Sequence, residues 1–573
     1  MGTDSHRPRD AESAASAVLR YHDRTKHFPY RYASGPGGLD WANQPNPFRR
    51  FAGAKLHELP FVAAPHRLGL REIVHAPTQR LTLDAVSLLL EHSVALSAWK
   101  SVRGNRWSLR CNPSSGNLHP TETYVILPAL AGLSDAAGVY HYRADAHALE
   151  SRAALADDVW RGLSHPDADG ELLVGLSSIL WREAWKYGER AFRYCQHDVG
   201  HAIAAIAYAA RALGWTAHVV ADLSDEDVAG LLGVDRREDF AVGEREHPDV
   251  VIRIGPHIAD VTTRLPDHVI SRDAVEGVRR AVWAGVANAL SGQHVTWQAI
   301  DDVSDATVRL PTDGPHSTDV LDAESSYARA AHRAADPRVL AAAPERDAFA
   351  LCLQRRSAVD FDGRTDLSAE RFFEMLAATL PSRLSPPLDS LDTTANIHLA
   401  LFVHRVPGLE PGLYLLVRSE SARERLRAAF DATFEWAAVP GAPDTLPIVQ
   451  LATGDARDLA RSISCGQDIA ADGAFSLGMI ANFAAPIAAR GAWFYRHLYW
   501  ECGAVGQVFY LESERAGIAA TGIGCFFDDS MHDLLGIHDH SFQSLYHLAV
   551  GQRVDDPRIS TLPAYVRRAL QGD

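Results

Sequence analysis

No apolar run in this chain approaches the ~18 residues needed to span a bilayer. Met1 to Asp10 is polar and has no apolar segment of the kind that heads a secretory signal, so a cytoplasmic location is expected. The six cysteines are scattered, and none forms a C-x-x-C pair. A chain of 573 residues does not need a disulfide framework, so reduced thiols are the default. Basic residues are short as well: 56 Lys and Arg stand against 72 Asp and Glu, a net charge of −16. That balance argues against nucleic acid or an anionic membrane as the main partner, while leaving room for a local basic pocket. Hydrophobic content of 47% and charge of 22% are those of an ordinary globular protein. The length suits two to four domains.

What the chain does contain is a repeat. Ala191-Phe192-Arg193-Tyr194 is answered by Phe494-Tyr495-Arg496-His497, and Leu231-Leu232-Gly233-Val234 by Leu534-Leu535-Gly536-Ile537. The offset is the same for both (494 − 191 and 534 − 231 each give 303). A unit of this length is a duplicated domain rather than a solenoid repeat.

The first 65 residues are rich in aromatic and basic side chains, and Gly35-Pro36-Gly37-Gly38 and Pro45-Asn46-Pro47 interrupt any long element. They are expected to form an ordered arm lying on another surface. The first copy follows over 66–260. Leu83, Val86, Leu89, Leu90 and Val94 have helical spacing, predicting a helix within Leu81 to Trp99. Strands are predicted at Tyr124–Leu127, Gly138–Tyr142 and Val250–Ile254. A long small-residue helix from Asp198 to Leu213 stops at Gly214. Residues 261–340 read as a partly helical connector. The second copy, 341–573, repeats the order. Helices are predicted at Arg346–Arg356, Leu367–Leu380 and Glu501–Ala516, the last stopping at Gly517. Strands are predicted at Ile397–Val403, Leu413–Val417 and His547–Val550. Strands mixed with long helices in no strict alternation predict an α+β class.

Three segments carry chemistry. Arg110 to Glu122 is a dense polar loop whose small hydroxyls, amide and glycine let backbone approach a planar ligand; read alone, it serves equally as a capping turn. Arg355-Arg356-Ser357 closes a helix. Two guanidinium groups and a hydroxyl can hold a phosphate, although double Arg at a helix end is more often a solvated face. Thr521-Gly522-Ile523-Gly524 offers backbone amides to a ligand face, and its counterpart His218-Val219-Val220-Ala221 has no glycine. His197 and His201 share a helix face, but no third ligand is evident, so no metal is expected.

Taken in order, Pro113-Ser114-Ser115-Gly116-Asn117, Arg355-Arg356-Ser357 and Thr521-Gly522-Ile523-Gly524 resemble the three flavin-binding elements of the nitroreductase superfamily. Gly408-Leu409, Pro411-Gly412-Leu413-Tyr414 and their echo at Gly132-Leu133 and Gly138-Val139-Tyr140 resemble its strand signature. The Asn117-Leu118-His119-Pro120-Thr121-Glu122 run and Trp185-Lys186-Tyr187-Gly188-Glu189-Arg190 are similar to SagB/ThcOx-type dehydrogenases, which include FMN-dependent azoline oxidases. The resemblance implies two tandem α+β domains, each a mixed or antiparallel sheet flanked by helices, fused into an intrachain pseudo-dimer. It implies one FMN per chain. Pro113, Ser114, Ser115 and Asn117 would come from the first copy, and Arg355, Arg356, Ser357, Gly522, Ile523 and Gly524 from the second. Arg553 or Arg558 would add to the phosphate site. The reciprocal site should be silent, because Pro77-Thr78-Gln79-Arg80 and Pro381-Ser382-Arg383-Leu384-Ser385-Pro386 replace the motifs there.

Lys186 and Tyr187 resemble a proton-accepting pair; the alternative is a surface Lys and a packing Tyr. Val359 stands where family members often carry Lys or Arg near the flavin, and Arg110 is the replacement suggested by sequence position. The implied activity is hydride transfer from a peptide or small heterocycle to FMN, with oxygen as reoxidant, azoline-to-azole oxidation being its most specific form. An NAD(P)H-dependent nitro or quinone reductase and a non-catalytic flavin- or peptide-binding module are the alternatives. A fused pseudo-dimer allows a monomer or a homodimer, with no nucleic-acid or membrane partner.

Overall fold

A computed structural model describes residues 11–165, 170–256, 269–311, 346–381, 386–391 and 394–566. Two seven-stranded sheets dominate it. In the first half the strands are β1 (Lys55–Glu58), β2 (Thr121–Leu127), β3 (Ala137–Arg143), β4 (Ala148–Leu155), β5 (Leu172–Ser178), β6 (Trp215–Val219) and β7 (His247–Pro256). Their spatial order is β1-β4-β3-β2-β5-β7-β6. In the second half they are β8 (Ile397–Val403), β9 (Gly412–Leu416), β10 (Ala437–Ala438), β11 (Ile448–Thr453), β12 (Phe475–Asn482), β13 (Ala519–Ile523) and β14 (Phe542–Gly551), in the order β10-β11-β9-β8-β12-β14-β13. The two orders correspond position by position, and every pairing is antiparallel. The expected mixed or antiparallel sheet is thus wholly antiparallel. One difference lies at the edge: β1 comes from the N-terminal arm, whereas β10 comes from within its own half.

The central strands β2 and β8 are buried at every position because both faces are covered. In β2, Val125 and Leu127 face a core shared by the two halves, while Tyr124 and Ile126 face an outer cluster. In β8, Leu399, Leu401 and Val403 face the shared core, and Ala400 and Phe402 the second outer cluster. The shared core is built on two long helices, α4 (Ala191–Ala212) and α6 (Phe494–Ala516). Every residue of α4 is buried. That requires a helix apolar or internally satisfied all round, hence its run of Ala and Ile. Gly214 and Gly517 end these helices at φ of +70° and +81°, the left-handed turn that glycine takes without strain. Both long helices begin earlier than their small-residue pattern predicts, because aromatic first turns pack into the same core.

The remaining helices used below are α1 (Ala11–Arg24), α2 (Leu83–Glu91), α3 (Leu180–Tyr187) and α5 (Ala348–Gln354). The helix expected within Leu81 to Trp99 ends at Glu91, and the chain then turns into a strand, Leu96–Val102. That strand pairs with Asn105–Arg110 on one side and with Ser560–Leu562, from the far end of the chain, on the other. Tertiary pairing overrides the helical spacing there. The connector contributes helices Arg272–Arg279 and Gln298–Ala306; its residues 261–268 and 312–340 lie outside the described residues. No helix among the described residues is long and apolar enough to cross a membrane.

The arm is ordered over its described part and touches both halves. Tyr21 donates to the carbonyl of Glu189 at 2.7 Å, and the ring of His22 meets the side-chain oxygen of Gln543 at 3.0 Å. The backbone N–H of His27 donates to Asp528 (2.9 Å), which also accepts from Arg190 (3.0 Å) and Arg193 (2.8 Å). Burial opposes ionisation of Asp528, but the two guanidinium groups hold its carboxyl far below the usual carboxylate range.

Candidate functional site

The loop after Arg110 is held in an uncommon shape. Gly116, Asn117 and His119 all adopt positive φ (+55°, +60° and +54°). Local bonds fix them: Asn117 Nδ2 donates to the Ser108 carbonyl (2.8 Å), and His119 N–H to Ser114 Oγ (2.8 Å). The loop is also tied to α4, where Asp198 accepts from Ser115 N–H at 2.9 Å and Ser115 Oγ at 3.0 Å. Burial pushes the Asp198 carboxyl up to about 7 against those hydrogen bonds.

From the second half, α5 ends at Gln354 and delivers Arg355 across the divide. Its Nε donates to the Cys111 carbonyl (2.8 Å) and its Nη2 to the Arg110 carbonyl (3.0 Å). Arg356 donates to the Ser97 carbonyl at 3.0 Å, and its own N–H bonds Glu514 at 3.2 Å. Burial, and then Arg355 beside it, lower Arg356 to about 10, so it stays cationic at neutral pH. Ser357 Oγ lies 2.8 Å from the Tyr510 hydroxyl, which also accepts from Gly522 N–H at 2.8 Å. One tyrosine of α6 thereby couples the Arg-Arg-Ser segment to the glycine segment.

These elements enclose a cavity of about 390 Å³. Pro113, Ser114, Ser115 and Asn117 line it from the first half, and Arg355, Arg356, Ser357, Gly522, Ile523 and Gly524 from the second. Glycine is needed at three lining positions for space. A Cβ on Gly116 would meet the Tyr187 ring at 2.9 Å, one on Gly522 the Tyr546 ring at 2.7 Å, and one on Gly524 the Tyr194 ring at 2.5 Å. Several buried donors and acceptors at the wall have no partner among the described residues: Arg355 Nη1, Arg110 Nε and Asn112 Oδ1. A buried polar atom without a partner is costly, so three of them on one cavity wall favour a polar ligand there.

The Lys186–Tyr187 pair is split. Tyr187 lines the cavity, whereas Lys186 does not and carries its ammonium 5.1 Å from the Tyr187 ring centre. Burial, with Glu183 adding to it, raises the Tyr187 hydroxyl well above its ordinary value. Arg553 lies outside the lining, 3.7 Å from Glu514 and 3.5 Å from Asp555, and Arg558 pairs with Asp556. Val359 lines the cavity and is 73% exposed. Arg110 lines it too, though two of its nitrogens donate to the carbonyls of Thr121 and Pro47. His197 and His201 are taken up by Tyr546: one stacks on its ring at 4.2 Å and the other meets its hydroxyl at 3.2 Å.

Sequence reasoning missed Asp198, Tyr194, Tyr510 and Tyr546 in the wall. Asp198 had a signal, being the one acid in the whole of α4; the tyrosines had none. At the pseudo-symmetric place, Pro77-Thr78-Gln79-Arg80 packs on Gly214 and Trp215, and a buried ion pair joins Arg211 to Asp389 at 2.6 Å. Residues 382–385 of the expected second loop lie outside the described residues.

A search of the curated proteins found no relative. Among solved structures, a protein of Anabaena variabilis assigned as a nitroreductase matches 94% of this chain and 99% of its own, with a TM-score of 0.64 and 22% identity, which shows a shared fold. A protein of Ralstonia eutropha with the same assignment matches 39% of this chain and 97% of its own (TM-score 0.26, 17% identity). A chain of the E. coli microcin synthetase McbBCD complex with truncated pro-MccB17 bound matches 44% and 95% (TM-score 0.26, 19% identity). The sequence profile of the nitroreductase family matches twice, over 77–243 and 353–552, once on each sheet and its long helix. With more than half of its length so matched and two α+β domains joined about one cavity, the chain belongs to the nitroreductase family of oxidoreductases.

Proposed function

We propose that the chain is an FMN-dependent oxidoreductase with one flavin per chain. The carrying observation is that a single cavity draws the Pro113–Asn117 loop from one half and both Arg355–Ser357 and Gly522–Gly524 from the other. The residues present fit the cofactor. The volume falls in the range of ~300–1,000 Å³ common for cofactor sites. Paired guanidinium groups and a hydroxyl suit a phosphate, and the unpartnered Arg355 Nη1 is a donor in waiting. In this reading Arg355, Arg356 and Ser357 hold the phosphate, and Arg553, 3.7 Å from Glu514, adds positive charge from outside the lining. Pro113, Ser114, Ser115, Asn117, Gly522, Ile523 and Gly524 surround the ring system. Bound FMN supplies a two-electron acceptor and donor.

The chain's own residues position the reactants and accept the released proton. Asp198 fixes the Ser114–Ser115 loop. In this reading Lys186 or Tyr187 takes the proton released as the hydride leaves, against the burial that raises the Tyr187 hydroxyl, with the Lys186 nitrogen 5.1 Å from the Tyr187 ring centre. The substrate class is a peptide or small heterocycle giving up a C–H hydride, azoline-to-azole oxidation being the most specific version, with oxygen as final acceptor and a cytoplasmic setting. Residues 66–260 and 341–573 act as the two domains, 1–65 as the arm and 261–340 as the connector.

Purified protein should show a flavin absorption band, and Arg356→Ala should abolish it; full flavin retention in that variant would sink the assignment. A colourless wild type would instead favour the non-catalytic binding module, a reading to which the exposed Val359 lends weight. Stopped-flow reduction by an azoline peptide against reduction by NADPH separates the dehydrogenase from a nitro or quinone reductase.

A further inference from the structure

Cys525 follows the last glycine of the Gly522–Gly524 segment and lines the cavity; Cys465 lies directly against it. Their sulfurs are 2.8 Å apart, and both thiols are free and partly exposed. The other four cysteines, Cys111, Cys195, Cys352 and Cys502, are buried. Cys465 adopts φ of +56°, left-handed backbone that a non-glycine residue holds only where its surroundings impose it. Gln467, two residues on, donates to the Cys525 carbonyl at 3.0 Å and so fixes one sulfur-bearing segment to the other.

The surroundings are those of a reactive thiol. His27 of the arm pairs by backbone with Phe527, and Tyr32 packs on His27 at 4.9 Å. Arg190 donates to the Gly524 carbonyl at 3.3 Å. The hydrogen bond from Cys465, and then His27 and Arg190 against the opposing effect of burial, push the Cys525 thiol down to about 5; Cys465, as the partner that keeps its proton, is raised. A thiolate in contact with a second thiol is the arrangement used for thiol–disulfide exchange.

We propose that Cys465 and Cys525 form a redox-active dithiol in the cavity wall, closed to an intrachain disulfide by small disulfides of the glutathione class. The Cys525 thiolate attacks one sulfur of oxidised glutathione; that S–S bond breaks, a mixed disulfide forms and one glutathione thiolate leaves. Cys465 then gives up its proton to solvent and attacks Cys525 Sγ, releasing the second glutathione thiolate. The two cysteines lose two electrons and two protons, and one oxidised glutathione becomes two reduced molecules. This inference does not depend on the flavin reading, since neither step uses the cofactor.

The test is a glutathione redox titration of the full-length protein, with acid quench, denaturation, alkylation and mass spectrometry. The fully reduced chain should take six alkyl groups, one for each of its cysteines. The oxidised chain should take two fewer, both lost at one midpoint, with a non-reducing digest yielding a Cys465–Cys525 cross-linked peptide. Cys465→Ser should stall as a glutathione adduct on Cys525, and Cys525→Ser should give no adduct at Cys465. Independent alkylation of both cysteines at every glutathione ratio, a cross-link mapping elsewhere, or a wild type that stops at the mixed disulfide would overturn the proposal. The wild-type titration alone decides the matter if a variant folds poorly.

Discussion

Gly200 of α4 and Gly503 of α6 face each other where the two long helices cross, and they are related by the same 303-residue offset (503 − 200) as the repeat itself. A Cβ on Gly200 would lie 2.7 Å from the Trp500 Cα, and one on Gly503 would lie 2.7 Å from the His201 N–H nitrogen. The pseudo-symmetry of the chain thus passes through a backbone-to-backbone contact that only glycine permits. Overpacking a buried site costs roughly 1–3 kcal/mol, and here the obstacle is backbone rather than a movable side chain. Gly503→Val should therefore lower thermal stability by at least that range, while Gly35→Ala, with open space around it, should change it by under about 0.5 kcal/mol. Thermal unfolding followed by circular dichroism compares the two. Equal melting temperatures would show that the helices can move apart.

Arg355 bridges the halves at the cavity through two carbonyls of the opposite half. A lysine keeps the charge but has no fork to serve both acceptors and a phosphate. Arg355→Lys should weaken flavin retention on the order of tenfold, about 1.4 kcal/mol, and Arg355→Ala should weaken it further. Equilibrium dialysis against FMN measures both. Exposed Arg80, at the pseudo-symmetric place, should be replaceable by Ala without effect on flavin retention.

Much of this site was legible in the sequence because its chemistry is local. Three short segments with distinctive composition carry the loop, the guanidinium pair and the glycines, and they converge as their order implied. The β8 strand was legible residue for residue, since an unbroken buried run leaves little choice. What was not legible depends on distant partners. The Leu96–Val102 strand exists because Ser560–Leu562 comes back to pair with it. Tyr510 and Tyr546 look like ordinary core residues until Ser357, Gly522 and His201 are placed beside them. Lys186 and Tyr187 are adjacent on α3, and neighbouring helical residues point about 100° apart; only one could line the cavity, and spacing alone did not say which.

Gly522 lies against Tyr546 so closely that a methyl group would displace the tyrosine hydroxyl. Gly522→Ala should therefore disturb the cavity wall and reduce flavin retention severalfold. The conflict involves chiefly the hydroxyl oxygen, so Gly522→Ala combined with Tyr546→Phe should recover part of the loss. Non-additivity of that kind is the signature of direct contact. Flavin content per chain across the four proteins of the cycle measures it. Additive losses would place the effect of the alanine elsewhere.

Asp198 gives the fold a pH dependence whose sign can be worked out. Burial raises its folded-state pKa from the ordinary 3.8 to about 7. The folded chain thus holds a proton that the unfolded chain has released between these values. Stability changes with pH as the difference in bound protons, so it falls as pH rises from about 4 to about 7. Glu183, raised well above its ordinary value by burial and then by Asp198, acts in the same direction. Asp198→Asn removes the Asp198 part of this slope. It also replaces one acceptor of the Ser115 hydrogen bonds with an amide that can still accept. The variant should match or trail the wild type near pH 4, and its melting temperature should fall less steeply toward pH 7. One unit of pKa shift corresponds to about 1.4 kcal/mol, large enough to resolve in melting curves taken at half-unit intervals. Parallel curves for the two proteins across this window would mean that Asp198 titrates at its ordinary value and does not hold the loop as a buried acid.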